Sequence, residues 1–331
     1  MWPVAQLRMT LACWNYDRTR GLAEGRIRPD GIDLNYVTIP VEETFFRMLR
    51  YKEFDAAELS LSSYVLSLFR PDRPFIAIPV FPSRVFRHSC IYVNAASGIT
   101  EPKDLIGKRV GTPEYQMTAA VWIRGILAEE YAVPVDSVTY VTGGQEEPGR
   151  PEKLPLDLPS TIRVERIGSE QTLSSMLARG DIDALYTART PSTFRSASVK
   201  RLFEGFPAVE RDYYRRTTIF PIMHTLVIRR DVYDRDRWVA QSLYKAFRVA
   251  QQETYADLME TAALKAMLPW LPAHIEELRC EMGDDFWPYG LDRNRHTLAT
   301  FLRYSHEQGL ARERLEPEAL FAPETLESFK I

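Results

Sequence analysis

The strongest constraint on this chain is a strand–helix alternation that fills residues 7–60 and starts again after Lys108. Residues 7–13 read as a strand, 17–24 as a short helix, and Pro29-Asp30-Gly31 as a turn leading into a strand over 32–37. Val41, Phe45, Met48 and Leu49 then recur at helical spacing, and 54–60 reads as a third strand. Such alternation predicts a mostly parallel sheet with helices on its faces. In the second run, 108–111 is a strand and 115–131 a helix, with Ala119, Trp122, Ile123, Ile126 and Leu127 on one face. Further strands are expected at 138–141, 163–167 and 182–186, and a helix capped by Ser169 and ended by Gly180. Beyond Tyr233 the pattern is helical, first through Val239, Leu243, Phe247 and Ala250, then through Leu298, Phe301 and Leu302, closed by Gly309.

The two runs share a detail. Tyr51-Lys52-Glu53-Phe54-Asp55-Ala56 matches Arg179-Gly180-Asp181-Ile182-Asp183-Ala184 in kind: a helix closes, an Asp-Ala opens a strand, and a polar segment follows. The polar segments, 60–63 and 187–192, read as helix starts. Two α/β halves are what a two-lobed binding fold contains, and 331 residues suit two domains. The fold class expected is therefore α/β, two-lobed, with a ligand cleft between the lobes. Crossings between lobes are expected near 85–93 and 217–228. That assigns 1–90 plus 225–331, with the C-terminal helices, to one lobe and 91–224 to the other.

Composition removes several classes. A formal net charge of −3 gives no basic field for a nucleic acid. Hydrophobic residues at 45% and charged residues at 26% argue against disorder, and no apolar run approaches the ~20 residues of a membrane span. Cys13, Cys90 and Cys280 are scattered and odd in number, which excludes a disulfide framework and a CxxC pair. Thr10-Leu11-Ala12-Cys13 imitates a lipoprotein cleavage site, but no basic n-region precedes it, and Gln6 and Arg8 interrupt the apolar stretch. A cytoplasmic location is expected. The Pro/Gly-rich excursion at 143–160 exceeds an ordinary loop.

In open α/β sheets ligands bind beyond the carboxyl ends of the strands. That rule selects 14–18, which includes Asn15 and Arg18; 60–63, which includes Ser62; 112–118, which includes Glu114, Tyr115 and Thr118; and 187–192, which includes Arg189. The last three segments open helices, whose free N–H groups favour anions. With Arg18 and Arg189 they suit a carboxylate ligand. His88, in Arg84-Val85-Phe86-Arg87-His88-Ser89, and His224, after Ile219-Phe220-Pro221-Ile222-Met223, stand at the two expected crossings and are candidate site histidines. His274, His296 and His306 lie in charge-rich helical surroundings and read as surface residues.

Other catalytic patterns are absent: no GxSxG, no GxxxxGK[ST], no HExxH, and no GxGxxG after a strand. No cofactor is expected. The one metal set conceivable, His88, His224 and Glu114, has no supporting spacing.

Several stretches resemble the 4,5-dihydroxyphthalate decarboxylase family. They are Phe86-Arg87-His88-Ser89, Gly107-Lys108-Arg109-Val110-Gly111, Pro113-Glu114-Tyr115-Gln116 and Thr118-Ala119-Ala120-Val121-Trp122. Gly143-Gly144, Pro148-Gly149-Arg150, Phe220-Pro221-Ile222-Met223-His224, Trp287-Pro288-Tyr289-Gly290 and Glu307-Gln308-Gly309-Leu310 continue the series in order. The resemblance implies a type II periplasmic-binding-protein-like fold and loss of CO2 from 4,5-dihydroxyphthalate to give protocatechuate. On that reading Arg18, Arg87 and Arg189, with the helix start at 112–118, are expected to hold the substrate carboxylates. His224 or His88 is expected to protonate the ring carbon, and Glu114 and Tyr115 to contact the ring hydroxyls. The partner is then a small aromatic dicarboxylate, with no nucleic acid and no membrane, and a homo-oligomer is left open. The rival reading is a solute-binding protein that delivers an aromatic or other organic carboxylate to an ABC transporter; a ligand-sensing domain is a third.

Overall fold

A computed structural model describes residues 6–326. In chain order its strands are β1 (Leu7–Ala12), β2 (Ile32–Val37), β3 (Ala56–Ser60), β4 (Phe75–Arg84), β5 (Ile91–Asn94), β6 (Arg109–Thr112), β7 (Thr139–Thr142), β8 (Arg163–Arg166), β9 (Ala184–Tyr186), β10 (Val199–Arg201) and β11 (Ile222–Arg229). The helices are α1 (Arg20–Ala23), α2 (Val41–Tyr51), α3 (Leu61–Ser67), α4 (Thr118–Tyr131), α5 (Leu173–Arg179), α6 (Phe206–Thr217), α7 (Arg230–Arg235), α8 (Trp238–Met259), α9 (Leu271–Met282) and α10 (Arg295–Glu307). The strands form two sheets, ordered β2-β1-β3-β11-β4 and β10-β5-β9-β6-β7-β8.

The chain divides into two compact units. Among the described residues one comprises 6–84, 224–298 and 316–326; the other comprises 85–223 and 299–315. The expected boundaries placed all of 225–331 in the first. Three segments differ from the expected boundaries: 85–90 and 299–315 fall in the second unit and His224 in the first; the cause at 299–315 is packing. Phe301 and Tyr304 meet Trp122 at ring distances of 5.4 and 5.7 Å. Gln308 donates to the Val121 carbonyl at 2.9 Å and accepts from Arg124 Nε at 2.8 Å. A Cβ on Gly125 would fall 2.1 Å from the Tyr304 ring, so that residue must be glycine for α10 to come this close.

The two sheets contain the same four-strand plan. β2-β1-β3-β11 in one corresponds to β7-β6-β9-β5 in the other, with the fourth strand antiparallel to the third in each. The repeated Asp-Ala is part of that plan. Asp55 Oδ2 accepts the Thr10 N–H at 2.9 Å, and Asp183 Oδ2 accepts the Arg109 N–H at 2.9 Å. The backbone N–H of each aspartate donates back to the carbonyl of the same partner. Each aspartate therefore clips its strand to the neighbouring parallel strand, β1 in one unit and β6 in the other.

Three expectations at element level are corrected. The ten-residue strand β4 was not foreseen, because Pro79 and Pro82 interrupt an apolar run. It lies at the edge of its sheet, where a missing N–H costs no ladder bond. The helix after 168 is capped by Thr172, whose side chain accepts the Ser175 N–H, and not by Ser169; Gly168 and Gln171 instead close a turn on each other. At 187–192 no α-helix begins; the chain makes only a short 3-10 turn at Ser192–Arg195.

Candidate active site

In the first unit the site is built on β3 and β11. These strands pair antiparallel with His224 opposite Ser60 and Leu226 opposite Glu58, so His224 and Glu58 are diagonal neighbours on one sheet face. Glu58 is fully buried in a strand otherwise apolar up to Ser60. His224 Nδ1 lies 2.6 Å from its Oε1, and Tyr16 donates its hydroxyl to the same oxygen at 2.6 Å. The Trp14 N–H donates to Oε2 at 3.0 Å, and the Cys13 thiol reaches that oxygen at 3.5 Å. Trp14 and Tyr16 belong to the loop that leaves β1, which ends at the same edge as β3. Burial works to raise the Glu58 carboxyl; the hydrogen bond and charge of His224, then Tyr16 and the Trp14 N–H, overcome it and hold the group below the usual carboxylate range. Burial pushes the Tyr16 phenol and the Cys13 thiol up, and the Glu58 charge adds to both.

The His224 side chain keeps 16% of its surface exposed, and the Phe45 ring meets it edge-on at 4.8 Å. A buried carboxylate thus grips one ring nitrogen while the ring itself stays open to solvent. Beside this pair, Arg18 is sandwiched between the rings of Tyr16 and Trp287, its guanidinium carbon 4.2 Å from each centroid. Arg18 Nε donates to the Pro82 carbonyl at 2.7 Å and Nη1 to Asp17 at 2.9 Å. The cation is fixed in place and still 16% exposed. Asn15 is exposed in the same loop. Ser62 is buried in the first turn of α3, whose cap Ser60 accepts the Ser63 N–H at 3.4 Å.

The other expected residues lie in the second unit. Glu114 is buried, and its Oε1 accepts from Arg150 at 2.6 and 2.9 Å and from Lys153. Burial would raise this carboxyl, but the charges of Lys153 and Arg150 hold it low. Tyr115 is buried, with its hydroxyl on the Gln308 carbonyl at 3.1 Å and Arg124 over its ring at 3.8 Å. Thr118 is buried at the first turn of α4. Arg189 is exposed, and its carbonyl accepts from Gln145 at 3.2 Å. Arg87 is 5% exposed; its Nε meets the Met223 sulfur at 3.1 Å and its Nη1 the Cys90 sulfur at 3.5 Å. His88 is enclosed by Tyr131, Phe203 and Tyr213, and among the described residues neither ring nitrogen has a hydrogen-bond partner. Burial, then the Arg216 charge, push its pKa down to about 4. Among the described residues no three His, Cys, Asp or Glu side chains gather in a metal-holding group.

The Pro/Gly-rich excursion is a strap across these loops. The Gly144 and Gln145 carbonyls accept the first N–H groups of α5. Glu146 accepts from Ser174 at 2.6 Å and from the Ser192 hydroxyl at 2.5 Å. Glu152 accepts the Tyr115 N–H at 2.5 Å, and burial, with the nearby Glu114 charge, raises its carboxyl.

Sequence reasoning did not find Glu58 or Tyr16. The signal was present in Ala56-Ala57-Glu58-Leu59-Ser60, where one carboxylate interrupts a strand otherwise apolar up to its last residue.

No family model matches the chain. A 4,5-dihydroxyphthalate decarboxylase of Comamonas testosteroni is 42% identical over 330 residues, covering 99% of this chain and 100% of that one. This chain belongs to the 4,5-dihydroxyphthalate decarboxylase family. A second member, from Pseudomonas putida, is 43% identical over 212 residues, 63% of this chain and 82% of its own length. Family membership makes the chain an enzyme, a carboxy-lyase. Among solved structures, the putative periplasmic sulfonate-binding protein of Methylobacillus flagellatus matches with a TM-score of 0.56 at 12% identity, covering 97% of this chain and 93% of that one. The aliphatic sulphonate-binding protein of Escherichia coli gives a TM-score of 0.51, also at 12% identity, over 97% of this chain and 99% of its own. The decarboxylase family thus uses the periplasmic-binding-protein-like fold. No helix among the described residues is long and apolar enough to cross a membrane.

Proposed function

We propose that this chain removes one carboxylate from 4,5-dihydroxyphthalate, giving protocatechuate and CO2, with His224 as proton donor. The observation that carries the reading is the His224–Glu58 pair: a buried carboxylate lies 2.6 Å from Nδ1 and orients a ring that remains partly exposed.

Direct loss of CO2 from a benzoate leaves an in-plane aryl anion with no conjugation. A hydroxyl para to the departing carboxylate opens another route, and 4,5-dihydroxyphthalate has one para to each. Its oxygen pushes electron density to the ipso carbon, which takes the imidazolium proton and forms a C–H bond. The C–C bond to the carboxylate then breaks, its electron pair returns to the ring, and CO2 leaves. One proton is consumed per turnover. This route needs no cofactor, and we propose that none is used.

Arg18 is proposed to hold the retained carboxylate, since its stacked, pinned guanidinium loses little freedom on binding. The environment of His88, a box of aromatic rings, supports a packing role for it and leaves the proton to His224. Glu114 and Tyr115, engaged with Arg150, Lys153 and Gln308, are proposed to hold the loop before α4 instead of contacting ring hydroxyls. Three free cysteines, Cys13, Cys90 and Cys280, accord with a cytoplasmic enzyme.

The test is incubation with 4,5-dihydroxyphthalate, following CO2 and the ultraviolet spectrum of the product, with and without a chelator. Turnover in both conditions is expected, and His224→Asn should lose about 100-fold or more in kcat. No CO2 from the intact chain would overturn the substrate; loss of activity with chelator would overturn the cofactor-free route; normal turnover by His224→Asn would overturn the proton donor.

A further inference from the structure

Glu58 has more donors than a simple partner for a histidine requires. Its two oxygens, fully buried, receive the Tyr16 hydroxyl, the Trp14 N–H, the Cys13 thiol and His224 Nδ1. A carboxylate is an acceptor only, and the Trp14 amide is a donor only. Tyr16 and Cys13 are held in their protonated forms by burial and by the Glu58 charge, so each offers its hydrogen. With these protons assigned, His224 Nδ1 must also carry one. Neutral His224 then has its lone pair on Nε2, and a proton gained is gained there.

We infer that Glu58 is a positioning residue that fixes His224 in the Nδ1–H tautomer, so that Nε2 alone exchanges the proton used in decarboxylation. The inference rests on the proposed role of His224, and it adds the atom and the residue that selects it. Tyr16, Cys13 and Arg18 from β1 and its loop and Tyr36 from β2 are titratable or charged groups around the pair, Asp17 is paired with Arg18, and α2 packs the Phe45 ring against the imidazole. The carboxylate in hydrogen-bond contact with the imidazole is that of Glu58.

The tautomer is read directly from the nitrogen NMR shifts of the His224 ring in the ligand-free protein. The expected neutral form has hydrogen on Nδ1 and none on Nε2; the opposite tautomer overturns the inference. This measurement needs no substrate. A chain with the expected tautomer but no action on 4,5-dihydroxyphthalate would therefore sink the proposed reaction and not the tautomer, and an active chain with the opposite tautomer would do the reverse.

Kinetics supply the second arm. Glu58→Gln keeps the shape but removes the charge. It should lower kcat about 100-fold, change KM less than about threefold, and move the alkaline limb of the rate profile to lower pH. Tyr16→Phe removes one donor from the carboxylate and keeps the ring over Arg18. It leaves a more basic Glu58 and should move that limb the other way. Opposite displacements support the inference. Unchanged profiles in both variants, or in Tyr16→Phe alone if Glu58→Gln does not fold, overturn it.

Discussion

His88 and His224 have the same side chain, and their surroundings give them different chemistry. His224 meets a carboxylate through one nitrogen; His88 meets only rings. Its pKa of about 4 lies below the ~6.5 of an unfolded histidine, so the fold prefers the neutral form. That preference adds stability in full above ~6.5 and is lost as the pH falls toward about 4, a total of about 3 kcal/mol. We expect His88→Leu to flatten the acid side of the stability–pH curve measured by denaturant unfolding, and to keep turnover. A proton donor at this position would instead lose activity on substitution. From sequence both histidines stand at expected crossings, and only the apolar lead-in Phe220-Pro221-Ile222-Met223 favours His224 as the proton donor. What separates them is Glu58, distant in sequence and aligned with His224 only by strand register.

At the scale of elements, the repeated Asp-Ala was legible because it is a local junction, and the structure gives it a mechanical role in each unit. Asp55→Ala leaves the Thr10 N–H without its acceptor and should cost about 1–2 kcal/mol in denaturant unfolding, while Asp55→Asn, which keeps an oxygen, should cost less. Cancelling the Glu114 charge is expected to cost more. Glu114→Gln removes the buried anion that Arg150 and Lys153 share, and a loss of about 3 kcal/mol is expected by the same measurement. The strand β4 was illegible for a specific reason: two prolines argue against a strand unless it is known to be an edge, and edge position is a property of the whole sheet. The strap at 143–160 was visible as too long for a loop, but its attachments to Tyr115, Ser174 and Ser192 are contacts at long sequence separation that no local pattern records.

At the scale of the molecule, fold and reaction had different sources. The α/β class followed from alternation alone. The reaction came from ordered motifs along the chain, since this fold also serves sulfonate-binding proteins and does not by itself specify decarboxylation. The para-hydroxyl route makes a prediction about the substrate as a whole. Unsubstituted phthalate should bind, measured as competitive inhibition, and release no CO2; release at a rate near that of the dihydroxy compound would rule the route out.

The sheet order also sets a timetable for synthesis. In the first sheet β3 is flanked by β1 and β11, and β11 is made only after every strand of the second sheet. An emerging chain of residues 1–84 therefore carries β3 with one side unpaired and β4 with no neighbour. The second unit in turn waits for 299–315 to cover Trp122 and Gly125. Neither half can finish while the ribosome is still short of the last helix. The nascent chain must shelter open strand edges for most of its translation, and a truncated product should be held by chaperones or degraded, not accumulate as a folded half.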